Sequence, residues 1–122
     1  MPMPTPVGSA APSVRHTLNA CRLRQPLTDI ETVERLAQTF ATLGDTARLR
    51  IIEALSQAEF CVGDLAEATG LTQSCTSHHL RVLRDLRLVK RRRDGRMIYY
   101  SLDDRHIELL FAQGLEHVRE AR

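Results

Sequence analysis

A mainly α-helical domain carrying one small β-hairpin is what this 122-residue sequence predicts. Three observations predict it. Apolar residues recur at helical spacing between Ile30 and Leu55 and again near the C-terminus. Two short helical patterns meet at a Gly70-Leu71 turn. Two strand-like runs then flank an Asp-Gly pair.

Met1 to Ser13 is rich in Pro, Ala and Ser and reads as a disordered arm, so the folded domain is placed at residues 14–122. Val14 to Leu27 reads as a short helix with Val14, Leu18 and Cys21 on one stripe, ended by Pro26. Thr28 or Asp29 caps the next helix, whose stripe is Ile30, Val33, Leu36, Ala37, Phe40 and Leu43, with Gly44 closing it. Asp45 or Thr46 starts a third helix that turns Leu49, Ile52 and Leu55 inward. Val62 to Thr69 follows, with Leu65 and Ala66 inward and Gly70 as its stop. Leu71 is expected to be buried in the turn. Thr72 caps a helix running to about Leu86, with Cys75, His79, Leu80, Leu83 and Leu86 as its core face. A short helix, a glycine turn and a second helix make a helix-turn-helix. Leu88 to Arg92 and Met97 to Leu102 read as strands about an Asp94-Gly95 turn, which adds a wing. A final helix runs from about Asp104 to Arg119. The expected architecture is a winged helix-turn-helix. With no Trp and five other aromatics, so small a core is expected to complete itself by pairing as a homodimer.

Charge distribution points to a partner. The chain totals +2, yet the 16 residues from Arg81 to Arg96 hold eight Lys or Arg against two Asp, a local +6. Such a cluster on a helix pair and wing is the footprint of a nucleic-acid binder. The second helix of the pair is expected to enter the major groove by its N-terminal end, presenting Thr72, Gln73, Ser74, Thr76, Ser77 and His78. Gln pairs two-pronged with adenine, and Ser or Thr serves bases or phosphates. Arg81 and Arg84 are placed for the DNA backbone, and Arg91, Arg92, Arg93 and Arg96 for phosphate or the minor groove. There is no run of 18 apolar residues, so no membrane partner is expected. No basic-then-apolar leader is present, and three cysteines without framework spacing fit a reducing cytoplasm. No phosphate loop or nucleophile elbow is present, so neither an enzyme nor a small-molecule substrate is expected.

Four segments together resemble the ArsR/SmtB family of bacterial metal-sensing repressors. They are Leu43 to Ile52, Phe60-Cys61-Val62-Gly63-Asp64-Leu65-Ala66, Ser77-His78-His79-Leu80-Arg81-Val82-Leu83 and Gly95-Arg96-Met97-Ile98-Tyr99-Tyr100. The resemblance covers residue 30 to the C-terminus. It implies a winged-helix homodimer, paired through its N-terminal and last helices, that occupies a palindromic operator until an inducer lowers its DNA affinity.

The last helix carries candidate metal ligands. Asp104, His106, His117 and Glu120 offer two imidazoles and two carboxylates, a donor set suited to zinc or cobalt. His117 and Glu120 are i and i+3 and share a face. His106 and His117 are 11 positions apart, about 16 Å along a helix at ~1.5 Å per residue, so one chain cannot close all four around one ion. An antiparallel pair of these helices, crossing near Ala112 and Gly114, can. The dimer is then expected to carry two Zn2+ sites, each with Asp104 and His106 from one chain and His117 and Glu120 from the other. The four positions match the zinc-type site of the family. A second candidate set is Cys61 and Asp64, i and i+3, which the resemblance completes with His16 and Cys21 from the other subunit's arm. Gly63 stands where the thiol-rich sensors of the family carry a further Cys, which disfavours a purely thiolate site. Cys61 is alternatively a small buried residue, and Cys75 is read as core.

Two other readings remain open on the sequence. A repressor of the same fold could switch by thiol chemistry between Cys21 and Cys61. A constitutive DNA binder would have no inducer, and its histidines would be incidental.

Overall fold

The computed structural model describes residues 22–121. By internal contacts the chain divides after Val33. In the first unit, residues 22–29 form no helix, so the predicted first helix does not extend to Leu27; its earlier part and the predicted arm lie outside the described residues. Asp29 starts the first observed helix: its carboxylate accepts from Thr32 N at 3.0 Å and Thr32 Oγ1 at 2.9 Å.

Five helices and one hairpin follow in order: α1 Ile30–Leu43, α2 Thr46–Leu55, α3 Val62–Thr69, α4 Gln73–Asp85, β1 Val89–Asp94, β2 Met97–Leu102 and α5 Arg105–Glu120. Local capping accounts for most boundaries. Asp45 accepts from Arg48 N at the start of α2, and Thr72 accepts from Cys75 N at the start of α4. Gly70 closes α3 at φ 76°, a left-handed position that costs glycine little. There Leu71 N reaches Ala66 O at 3.0 Å and Gly70 N reaches Glu67 O at 3.3 Å. The same pattern ends α4, where Leu88 N donates to Leu83 O and Arg87 N to Arg84 O, both at 2.9 Å. At that end the left-handed residue is Arg87, φ 61°.

The hairpin differs from expectation in one respect. Asp94 pairs with Met97 inside the ladder, so the two loop residues are Gly95 and Arg96. Only Gly95 has positive φ, 64°, the pattern of a turn with glycine first rather than of an Asp-Gly turn. Phe60 also exchanges two backbone hydrogen bonds with Tyr100, at 3.1 and 2.8 Å, which ties the loop after α2 to the hairpin.

The core lies among α2, α3, α4 and the hairpin base. Ile51, Ile52, Leu55, Leu65, Leu80, Leu83, Leu88 and Val89 are buried, with Leu43 from the end of α1. Ile51 joins Ile52 as a fully buried residue, while Leu49, expected inward, remains exposed at 38%. Leu71 is half-buried rather than buried. Buried Thr69 satisfies its hydroxyl on Leu65 O at 2.7 Å.

Candidate nucleic-acid interface and metal ligands

Helix α4 begins at its Thr72 cap, so its free N–H groups and the positive end of its dipole face outward there. Thr72, Gln73, Ser74, Ser77 and His78 are exposed around that end, and Arg81 is exposed one turn on. These are the short donors and acceptors that a groove-reading end requires. Gln73 lies over α3, where a Cβ at Gly63 would sit 3.4 Å from its Nε2. Thr76 is a correction to the sequence reading. It is fully buried, and its Oγ1 donates to Thr72 O at 2.8 Å, so it packs the helix pair rather than reading bases. Arg84 is half-buried.

The wing arginines divide by strand face. Arg91, Arg93 and Arg96 are exposed. Arg92 is already engaged: its Nη2 lies 2.8 Å from Glu59 Oε1, its Nε bonds the same carboxylate, and its guanidinium stands 4.9 Å above the Tyr99 ring. The Arg92 hydrogen bond holds the Glu59 carboxyl below its ordinary 4.5, and the same bond raises the guanidinium. Asp94 adds a second acid at 3.8 Å. Arg92 therefore fastens the base of the wing to the loop before α3. The residues are 33 positions apart, and no local pattern in the sequence announces the pair.

Behind α4 sits another contact absent from the sequence reading. Arg48 donates from Nε to His79 Nδ1 at 3.0 Å and from Nη1 to the Thr42 carbonyl at 3.3 Å. Burial lowers the His79 imidazole below its ordinary 6.5, and the nearby Arg48 and His78 lower it further, against an opposing pull from Asp45.

The candidate metal ligands on α5 lie at its two ends. Asp104 is the N-cap residue. Its Oδ1 accepts from His106 N at 2.8 Å and Ile107 N at 3.3 Å, leaving Oδ2 3.3 Å from His106 Nδ1. Partial desolvation raises the Asp104 carboxyl, but bonds from the His106 ring and two backbone N–H groups outweigh it and hold the group below 3.8. The structure thus brings Asp104 and His106 together as adjacent, exposed, metal-competent donors. His117 and Glu120 are exposed in the last turns of the same helix and do not join them. Among the described residues of one chain, no group of three or more His, Cys, Asp or Glu side chains is placed to hold an ion. Cys61 caps α3 without using its side chain and is half-buried, and Asp64 is exposed in the first turn. His16 and Cys21 lie outside the described residues. Cys75 is half-buried on α4.

Comparison with known proteins places the chain. Residues 45–91, from the α2 cap to the wing, match the model of the arsR family of bacterial regulatory proteins. The chain is 42% identical over 105 residues to a transcriptional repressor SmtB homolog from Synechocystis sp., covering 85% of this chain and 80% of that one. It is 40% identical over 86 residues to a cadmium resistance transcriptional regulatory protein CadC homolog from Staphylococcus aureus, covering 70% and 71%. Its structure superposes with a TM-score of 0.73 and 28% identity on a Mycobacterium bovis fragment described as a homodimeric winged helix-turn-helix DNA-binding domain, covering 80% and 91%. A helix pair with an exposed polar N-terminal end, a basic wing and these relatives lead to one assignment: the chain belongs to the arsR family of bacterial regulatory proteins and has the winged helix-turn-helix fold.

Proposed function

We propose that this chain is a metal-responsive transcriptional repressor that binds a palindromic operator as a homodimer and is released by zinc. The observation that carries the reading is α5. It is an amphipathic helix of 16 residues with no buried residue, and it carries metal-competent donors at both ends. Leu109, Leu110 and Val118 are exposed along it. Beside it an apolar groove of about 380 Å³ is lined by Phe40, Leu43, Leu49, Ile52, Phe111 and Leu115. Exposed apolar surface of this extent marks an interface, and a second α5 crossing it antiparallel would bring His117 and Glu120 to Asp104 and His106. The relatives agree in kind, being named as a repressor and a cadmium resistance regulator.

In this reading the exposed end of α4 reads bases, while Arg91, Arg93 and Arg96 hold phosphate or the minor groove. The two-fold axis sets the spacing of the half-sites. Asp104 and His106 of one chain and His117 and Glu120 of the other would hold the ion, two per dimer. When bound, zinc would supply a cross-link between the two α5 helices. His117 would then hold the ion through one ring nitrogen and keep the other as a donor, for which the family resemblance implies a backbone carbonyl around Arg87 as acceptor. Arg87 occupies the left-handed turn joining α4 to β1, so a pull on that carbonyl acts on the reading helix and the wing together. Coupling is reciprocal, so operator DNA weakens zinc binding by the same factor.

The test is a titration of operator binding with zinc on wild type and on His117→Gln. The variant should bind DNA and fail to be released. If zinc still dissociates it as it does wild type, the last-helix switch is wrong. Release by oxidant instead of zinc would favour the Cys21 and Cys61 thiol switch.

A further inference from the structure

We propose that Arg48 is a positioning residue for DNA reading: its guanidinium braces α4 through His79, and protonation of His79 releases the brace. The inference rests on α4 being the helix that reads DNA.

The hydrogen-bond chemistry dictates the state of the ring. Arginine carries only donors. A bond of 3.0 Å from Arg48 Nε to His79 Nδ1 therefore requires a lone pair on Nδ1, so the imidazole is neutral with its proton on Nε2. The same guanidinium donates from Nη1 to the Thr42 carbonyl in the last turn of α1, where helix carbonyls lack intrahelical partners. The backbone N–H of Arg48 is in turn held by Asp45 at 3.1 Å. One side chain thus joins the end of α1, the start of α2 and the middle of α4. It runs from the end of the helix that carries exposed Leu36 and Phe40 to the helix that carries Gln73 and Ser77.

Protonating Nδ1 replaces this acceptor with a donor and sets two cations against each other, so the bond cannot survive. The charged groups acting on the ring are Asp45 and Arg48 from α2 and His78 from α4 itself, whose ring centroid is 5.9 Å away. Among the described residues, no ionisable group of α3 or of the hairpin, which also pack on α4, acts on it. The Arg48 N–H bond keeps Asp45 ionised well below the window concerned. Burial depresses His79 below 6.5, so the folded protein takes up this proton less readily than the unfolded chain. The brace is fully present above pH 6.5 and is lost as pH falls through the depressed value.

The experiment uses the full chain and a duplex selected from a randomised library by wild type at pH 7.5. Affinity is measured by fluorescence anisotropy at pH 7.5 and 5.5 on wild type and His79→Gln, and each protein is scored by its own ratio. The Gln amide oxygen accepts from Arg48 and does not titrate, so the variant reports what the other histidines do to DNA binding. Wild type should lose about tenfold more affinity on acidification than the variant, the factor carried by one hydrogen bond to a charged group. Equal ratios overturn the proposal. An independent readout needs no variant: in wild type the Arg48 Nε–H resonance should be protected at pH 7.5 and lost as the His79 ring protonates. Persistence of that resonance after ring protonation overturns the brace. Failure to select any duplex defeats the DNA reading itself and the positioning role with it, whereas the ring titration still shows whether the bond opens.

Discussion

Helix α4 buries Thr76, Leu80 and Leu83, whereas the longer α5 buries no residue at all. Both are amphipathic. The difference lies in what each apolar face meets. The α4 face is closed by α3, β1 and the α2 core within the same chain. The α5 face rests only in part on its neighbours, through half-buried Ile107 and Phe111, and leaves Leu109, Leu110 and Val118 uncovered. The apolar face of α4 is thus closed within one chain, and that of α5 is left open; the proposed pairing would cover it.

Five substitutions can break or sharpen that contrast. Leu83→Ala removes a fully buried side chain from the reading head and should cost about 2–5 kcal/mol, read by urea denaturation and independent of protein concentration. Leu110→Glu, on the uncovered face, should leave the monomer folded by circular dichroism. It should weaken pairing by roughly a hundredfold, since a two-fold interface meets the unpaired charge twice. Sedimentation across a concentration series measures it, and an unchanged association constant would remove α5 from the interface. On the wing, Arg93→Ala should reduce the slope of log affinity against log salt by about one. Arg92→Ala should reduce it by clearly less, because Glu59 and Asp94 already neutralise that guanidinium. Equal slopes for the two variants would show that the Glu59 pair opens on DNA. Smallest is Arg87→Gly, which relieves a side chain at φ 61° and should raise stability by up to about 1 kcal/mol after the extra freedom of glycine in the unfolded chain is counted. Thermal unfolding reads it.

The legible parts of the molecule are those whose causes lie within four or five residues. Asp45 capping Arg48 N, Thr72 capping Cys75 N, Gly70 turning left-handed and Asp104 opening α5 are all local events, and the helix boundaries follow them. The exposed donors at the start of α4 were equally readable, since helical spacing puts Gln73 and Ser77 on one face. Thr76 was misread because a small polar side chain can satisfy itself on the preceding turn and then be buried, which its polarity conceals. The hairpin turn shifted by one residue because the ladder extends to the Asp94–Met97 pair, leaving glycine first in the loop.

Of this protein, the sequence alone determined the order of the helices from Ile30 onward and of the wing, and the positive stretch from Arg81 to Arg96, because capping, periodicity and charge are properties of neighbouring residues; Asp104, His106, His117 and Glu120 are the donor set it proposes. The tertiary structure alone decided which charged groups are engaged and which remain free. Glu59 reaches Arg92 across 33 positions and Arg48 reaches His79 across 31. Such pairs exist only once packing has brought distant segments within about 3 Å, and no spacing along the chain encodes that approach.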